Sequence, residues 1–358
     1  MSENPRIYWS EDGTDRSARW RSETGTPPPK RVVIADDTIS ADTAYRLACE
    51  GTALLWRGDF QNARLLLQAL ARRVDRKPGK PAKSRKPAPT PAEAFHLHRQ
   101  AQSQRARTLG MLLIPFDAGH VIPLRRAPDV ALACEEVYGA AEEPYVASLR
   151  ELLGLIGAHE WRKNGIPIAV LDGRIHAHYG VFAPTRGEYI DLVAKAPLPA
   201  FNAASGSLAF DIGAGTGVLA ALLAKRGVKH VIATELDPRA LACARENIQR
   251  LGLKKQVEIT ETNLFPPGRA SLIVCNPPWV PARPSSALER AIYDPDSQML
   301  RGFLAGLAAH LEPGGESWLI LSDLAEHLGL RSRDEFLAAL ESAGLKVLGR
   351  LDARPSHP

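Results

Sequence analysis

The chain has 358 residues, 45% apolar and 24% charged, with 45 Lys+Arg against 40 Asp+Glu for a formal net charge of +5. The apolar fraction suffices for an ordinary packed core and the length suits about two domains, which excludes wholesale disorder and a collagen-like repeat. No stretch approaches the roughly 18 uninterrupted apolar residues of a membrane helix, and Met1 to Pro29 holds no apolar signal core, so a cytoplasmic protein with no membrane partner is expected. Cys49, Cys134, Cys243 and Cys275 stand far apart, without C-x-x-C spacing or clustered histidines; neither a disulfide framework nor a metal site is expected.

Residues 1–35 are polar, Pro-rich and without period, and read as a disordered arm. Residues 36–74 carry apolar residues at helical spacing, from Ala44, Leu47 and Ala48 to Leu66, Leu67 and Leu70, with Gly58-Asp59 as the break; a helical hairpin is expected. The charge excess gathers next. Between Arg72 and Thr90 eight basic residues and one acid stand among four prolines, so residues 75–91 read as a basic Pro-rich linker. Residues 92–165 continue a mainly helical N-terminal region, with helices from Ala92 to Leu109 and from Leu149 to Ile156 and short strands near Met111 to Pro115 and Gly119 to Leu124.

From Ile166 the pattern turns to alternating β and α. Residues 166–206 form a pre-domain segment with strands over Pro167 to Leu171 and Arg174 to Phe182 and a helix over Tyr189 to Ala196. Residues 207–358 then give strands at Ser207 to Asp211, His230 to Glu235, Val257 to Thr260, Ser271 to Cys275, Ser317 to Leu321 and Lys346 to Leu351. Helices fall at Val218 to Arg226, Pro238 to Leu251, Ser297 to Leu311 and Arg333 to Ala343. Strands separated by helices of this length imply parallel pairing, hence an α/β, doubly wound, mostly parallel Rossmann-like sheet.

Two motifs carry chemistry. Asp211-Ile-Gly-Ala-Gly-Thr-Gly217 lies between a strand and a helix, where its glycines permit a tight turn and close approach of a ligand to a helix N-terminus. The acid ahead of the first glycine suits a ligand bearing an ammonium group, and Glu235, ending the next strand, can take ribose hydroxyls. Asp237 with Pro238 already supplies the following helix start, which leaves Glu235 free of that duty. The second motif is Asn276-Pro-Pro-Trp279 at the end of a later strand. The Asn276 amide oxygen and the Pro277 carbonyl can accept both protons of a planar amino group, while Trp279 offers a flat face for stacking.

With these residues the sequence resembles the class I S-adenosylmethionine-dependent methyltransferases, specifically the group whose fourth motif is Asn/Asp-Pro-Pro-aromatic. That group contains the HemK-type protein-glutamine methyltransferases and the amino-group methyltransferases of RNA and DNA bases. The resemblance covers about residues 166–351. It implies that Asp211, Gly213, Gly215 and Gly217 hold the methionine part of S-adenosylmethionine and Glu235 its ribose. Asn263 stands where many members place an Asp against the adenine amino group. Gly180 to Val193 looks like the segment before the cofactor fold in HemK-type enzymes; Glu188 matches its acid and is expected at the cofactor, although Tyr189 replaces the usual Thr.

The function expected is N-methylation of a planar amino group of a macromolecule, foremost a protein glutamine side chain in a translation factor or ribosomal component. The alternative is an adenine or guanine amino group of RNA or DNA, with the basic linker on phosphates; a minor alternative is a methyltransferase fold that only binds RNA or protein. The motifs do not separate the first two, because glutamine and base amino groups present the same two protons. The region before residue 166 is longer than the short helical domain of HemK-type enzymes. The chain also stops soon after the strand expected at Lys346 to Leu351, short of the antiparallel hairpin with which such folds usually finish.

Overall fold

The computed structural model describes residues 5–76, 89–201, 206–284 and 288–354. They divide into two compact units, one ending at His159 and one starting at Glu160. Most of the basic Pro-rich linker, residues 77–88, lies outside the described residues.

In the N-terminal unit, β1 (Arg6–Glu11) and β2 (Thr14–Trp20) make an antiparallel hairpin where a disordered arm was expected. Its loop, Asp12-Gly13, has positive φ at both residues, the turn geometry that matches strand twist. Next come β3 (Arg31–Ala35), α1 (Ala41–Cys49), β4 (Thr52–Trp56) and α2 (Phe60–Val74). The expected helical hairpin is therefore two helices with a fully buried strand between them. The Gly58-Asp59 break is where the sequence places it, and Asp59 caps α2 by accepting from Gln61 N. Pro91 opens α3 (Pro91–Leu109) behind a Thr90–Glu93 capping box. β5 (Leu112–Phe116), α4 (Ala131–Tyr138), β6 (Tyr145–Ser148) and α5 (Leu149–Asn164) follow, α5 leading the chain into the second unit. Helices fill much of this unit, as expected, but they are organised on a six-stranded mixed sheet of order β1-β2-β6-β5-β4-β3.

The C-terminal unit begins with a small antiparallel pair, β7 (Ile166–Ile168) and β8 (Gly173–Ile175), then α6 (Glu188–Lys195). The main sheet is built from β9 (Leu208–Ile212), α7 (Val218–Lys225), β10 (His230–Glu235), α8 (Pro238–Arg250), β11 (Val257–Glu261), β12 (Ala270–Cys275), α9 (Gln298–His310) and β13 (Leu311–Leu319). The short α10 (Leu324–His327) and α11 (Arg333–Ser342) close the described chain. The strands run in the order β11-β10-β9-β12-β13, and every pairing is parallel. This is the doubly wound sheet read from the sequence. β9 lies at its centre, and the switch in strand order beside it, between β9 and β12, opens a crevice beyond the strand C-termini.

Two expectations at the end of the chain change. Lys346–Leu351 forms no strand, and Val347 and Leu348 are 59% and 65% exposed; a strand needs a neighbour for its backbone groups, and among the described residues β13 pairs with β12 alone. β13 also starts earlier than expected, running through Glu312-Pro-Gly-Gly315. Gly315 lies so close to β12 that a Cβ there would meet the carbonyl oxygens of Ser271 and Ala270 at 3.1 and 3.2 Å.

Of the four cysteines Cys49 is exposed, the others are buried, and all are free. Among the described residues there is no cluster of metal-ligating side chains, and no helix is long and apolar enough to cross a membrane.

Candidate functional site

The register of the parallel strands brings the motifs together. Val274 pairs with Asp211 and Cys275 with Ile212, so Asn276 and Gly213 are the first residues past the ends of neighbouring strands, about 5 Å apart in the pairing direction. On the other side of β9, Thr234 pairs with Ile212, which puts Glu235 level with Gly213. The Thr234 carbonyl accepts from both Gly213 N and Ala214 N at 3.0 and 2.9 Å, binding the Gly-rich turn to the end of β10.

The turn needs its glycines. Gly213, Gly215 and Gly217 have φ of 78°, 54° and 77°, in the left-handed region that favours glycine. Beside Gly217 a Cβ would crowd Ala244 on α8, whereas beside Gly215 it would meet nothing within 4 Å. The turn therefore packs tightly against α8 at one end and opens to free space in the middle.

Asp211 is almost fully buried, 1% exposed, and accepts one backbone hydrogen bond, from Ala220 N in the first turn of α7 at 2.9 Å. No cationic side chain pairs with it among the described residues. Burial pushes its carboxyl up to about 7; the Ala220 N–H opposes this and the charge of Glu235 adds to it. Burial, and then the Asp211 charge, also raise the Tyr189 hydroxyl and the Cys275 thiol. A buried carboxylate lacking a cation is the environment an ammonium-bearing ligand would complete.

Glu235 is anchored to the loop. Its Oε2 accepts from Gly215 N at 3.0 Å, while Oε1 accepts from Leu236 N and Asp237 N at 2.7 and 3.0 Å. Of roughly four acceptor sites on a carboxylate, one remains for a hydroxyl unless a backbone bond is exchanged. Asn263 is exposed in the loop after β11, next to Thr262, whose N–H donates to the Glu235 carbonyl. Glu188 opens α6 beside Tyr189, the residue that feels the Asp211 charge.

Past β12, Pro277 is buried and Asn276 and Trp279 are half-buried. The Trp279 indole N–H donates to Asn276 Oδ1 at 3.0 Å. The loop is then fastened by Val280, which bridges to Tyr293 and accepts from Asp294 N at 2.9 Å.

The sequence-expected residues Asp211, Gly213, Gly215, Gly217, Glu235, Asn263, Asn276, Pro277 and Trp279 thus line the C-terminal ends of β9, β10, β11 and β12, whereas for Glu188 the structure shows only that it opens α6 next to Tyr189. A surface hollow lined by His230, Arg245, Lys254, Lys255 and Glu258 lies by the N-terminal ends of β10 and β11, away from this crevice. Several contributors were not anticipated. Asn247 is completely buried on α8, where it accepts from His176 N at 2.8 Å and donates to the Thr216 carbonyl at 3.0 Å, linking the pre-domain segment to the Gly-rich turn. Its signal was an amide on the stripe of Leu241, Ala244 and Ile248. Asp294 and Arg331 lie outside any motif, and only the fold brings them to the Trp279 loop.

Residues 172–333 match the family described as "Methyltransferase small domain". The match takes in the strands of the parallel sheet and both crevice motifs, so the C-terminal unit contains a methyltransferase small domain. Among individual proteins, the chain is 35% identical over 161 residues to a release factor glutamine methyltransferase of Cereibacter sphaeroides, covering 40% of this chain and 55% of that one. It is 34% identical over 148 residues to a ribosomal protein L11 methyltransferase of Pelotomaculum thermopropionicum, covering 40% of each. The chain spans about half the length of the first of these relatives and less of the second. Among solved structures, a methyltransferase from Pyrococcus furiosus aligns with a TM-score of 0.36 at 21% identity, over 55% of this chain and 85% of that one.

Proposed function

We propose that this chain is an N-methyltransferase whose acceptor is the side-chain amide of a glutamine in a protein, in the manner of the HemK-type enzymes. The observation that carries the reading is the pairing of Cys275 with Ile212, which sets Asn276 beside the Gly-rich turn. A relative named as a release factor glutamine methyltransferase supports this acceptor, and one named for ribosomal protein L11 supports a protein substrate.

S-adenosylmethionine supplies a methyl group on a cationic sulfur, an activated leaving group. What remains for the protein is to align the nitrogen with the C–S bond and to favour its developing charge. Asp211 would pair with the ammonium of the donor, the open Gly213–Gly217 turn would admit its backbone, and Glu235 and Asn263 would take ribose and adenine, with Glu188 at the entrance. Asn276 Oδ1 and the Pro277 carbonyl would accept the two protons of the acceptor amide, while the Trp279 ring stacks on its plane. An amide nitrogen is a poor nucleophile because its lone pair is delocalised. Holding both protons favours the pyramidal nitrogen of the transition state, which gains the methyl as the C–S bond breaks and then gives up one proton to solvent.

Asn276→Ala should lower kcat by about two orders of magnitude, the scale of one lost oriented partner, with S-adenosylmethionine affinity near normal. Acceptor class is read by transferring labelled methyl into lysate of a strain lacking this protein and digesting with protease or RNase. Protease-sensitive label supports the reading. RNase-sensitive label would replace it with base methylation, which Arg72, Arg73 and Arg76 and, on the exposed helix α3, Arg99, Arg105 and Arg107 would favour.

A further inference from the structure

Asn276 has a property that the proposed chemistry makes critical. The two ends of its amide have the same shape, yet one accepts hydrogen bonds and the other only donates. Flipped about its last bond, the side chain would fill the same space and turn an NH2 group toward the acceptor nitrogen's protons, donor against donor. Shape alone does not select the useful orientation.

The Trp279 indole does. Its N–H is a donor only, and it stands 3.0 Å from Oδ1. It therefore excludes the flipped amide, and it occupies one acceptor direction of Oδ1 while leaving the other. The indole itself is placed from its own backbone: Trp279 N donates to the Ile292 carbonyl at 3.0 Å, and Arg331 Nη2 reaches the Trp279 carbonyl at 3.4 Å. The Val280 N–H joins the same Ile292 carbonyl at 3.0 Å, and Pro277 and Pro278 restrict φ along the intervening chain.

We propose that Trp279 is a positioning residue, whose indole N–H selects the orientation of the Asn276 amide that presents Oδ1 to the methyl-accepting nitrogen. This role rests on the reaction proposed above and is separate from stacking, because Phe at position 279 would keep the aromatic face and lose only the N–H.

The test is a double-mutant cycle between Trp279→Phe and Asn276→Asp, with recombinant release factor as methyl acceptor. An aspartate has two equivalent oxygens and no wrong orientation. In the Asn276 background Trp279→Phe should lower kcat about three- to tenfold, the worth of one neutral hydrogen bond, with KM for the acceptor little changed; in the Asp background it should cost less than twofold. Equal losses in both backgrounds would mean that Trp279 only supports the loop, and would overturn the proposal. A second measurement needs no acceptor. In 15N spectra the Trp279 indole proton, assigned by its absence in Trp279→Phe, should move upfield and exchange faster in Asn276→Ala. An indole signal indifferent to Asn276→Ala removes the contact and the proposal with it. If wild-type protein fails to methylate release factor but the indole responds to Asn276→Ala, the acceptor assignment falls and the selection of amide orientation stands.

Discussion

The Asp211 carboxyl yields a prediction with two opposed signs. Burial raises it from 3.8 to about 7, with the Glu235 charge adding to the shift, so the folded, ligand-free unit holds a proton that the unfolded chain has released. A group raised in the folded state contributes stability at low pH that is lost as pH climbs from about 4 to 7; three pH units correspond to ~4 kcal/mol between the protonation states. Ligand-free protein should therefore lose thermal stability over that interval, and Asp211→Asn, which keeps an acceptor for Ala220 N, should be the more stable protein at pH 8. Binding runs the other way. An ammonium needs the ionised carboxylate, so S-adenosylmethionine binding must expel the proton below pH 7, and Kd should weaken about fivefold between pH 7 and pH 6. Calorimetry in two buffers of different ionisation enthalpy would show nearly one proton released at pH 6. The window between pH 5.5 and 7 keeps the α-amino group of the ligand charged. Asp211→Asn should abolish this slope and weaken binding by at least about 30-fold, the cost of leaving one partner of a buried charged pair alone. Wild-type affinity flat from pH 5.5 to 7, or an Asp211→Asn protein less stable than wild type at pH 8, would refute the reasoning.

Two further predictions concern the frame. Gly315→Ala should destabilise the C-terminal unit by about 1–3 kcal/mol, because the new Cβ meets the Glu312, Ser271 and Ala270 carbonyl oxygens at 3.0–3.2 Å and none of these backbone atoms can rotate away; an unchanged urea midpoint would contradict this. Asn247→Leu should cost about 2–4 kcal/mol by orphaning the buried His176 N–H and Thr216 carbonyl. It should also weaken S-adenosylmethionine binding, since Thr216 is part of the Gly-rich turn, and titration calorimetry on the folded variant measures that directly.

Legibility in the sequence followed burial. The central strands β9, β10 and β12 are apolar runs ending in chemistry, and their bounds agree with the sequence reading to within a residue. β4 is as apolar, but Thr52–Trp56 is only five residues long, and a short run without alternation fits a helix-spaced pattern equally well. The β1–β2 hairpin hid for the opposite reason: Ile7, Ala18 and Trp20 are its only buried side chains among polar, exposed neighbours, and Asp12-Gly13 was its one strong cue. β13 contains Pro313 and two glycines, which argue against a strand, and it forms because Gly315 allows the backbone close to β12. At the site, motif residues could be read because each ends a strand. The partners that orient them could not: the Trp279–Asn276 bond depends on a side-chain conformation, and Arg331 reaches the Trp279 loop from 52 residues away.

The same loop shows how the two halves of the proposed reaction are held in mutual register. Asp294, 6% exposed, donates its N–H to the Val280 carbonyl, and its carboxylate accepts from Met299 N and Leu300 N at the start of α9. To bring this about the chain passes through Asp296 and Ser297 at φ of 54° and 52°, a conformation that side-chain-bearing residues adopt at a cost of about 1–3 kcal/mol each. The helix start so placed carries Met299, whose Cε would stand 2.9 Å from a Cβ on Gly213. The loop that presents Asn276 is therefore fastened to this helix terminus, and the Met299 side chain on the same terminus lies next to Gly213 of the turn. In-line transfer depends on the separation of donor and acceptor to a fraction of an ångström, and under the proposed reaction a helix start adjoining both segments would help to set it. The positive φ of Asp296 and Ser297 falls in the short segment that brings Asp294 to this helix start.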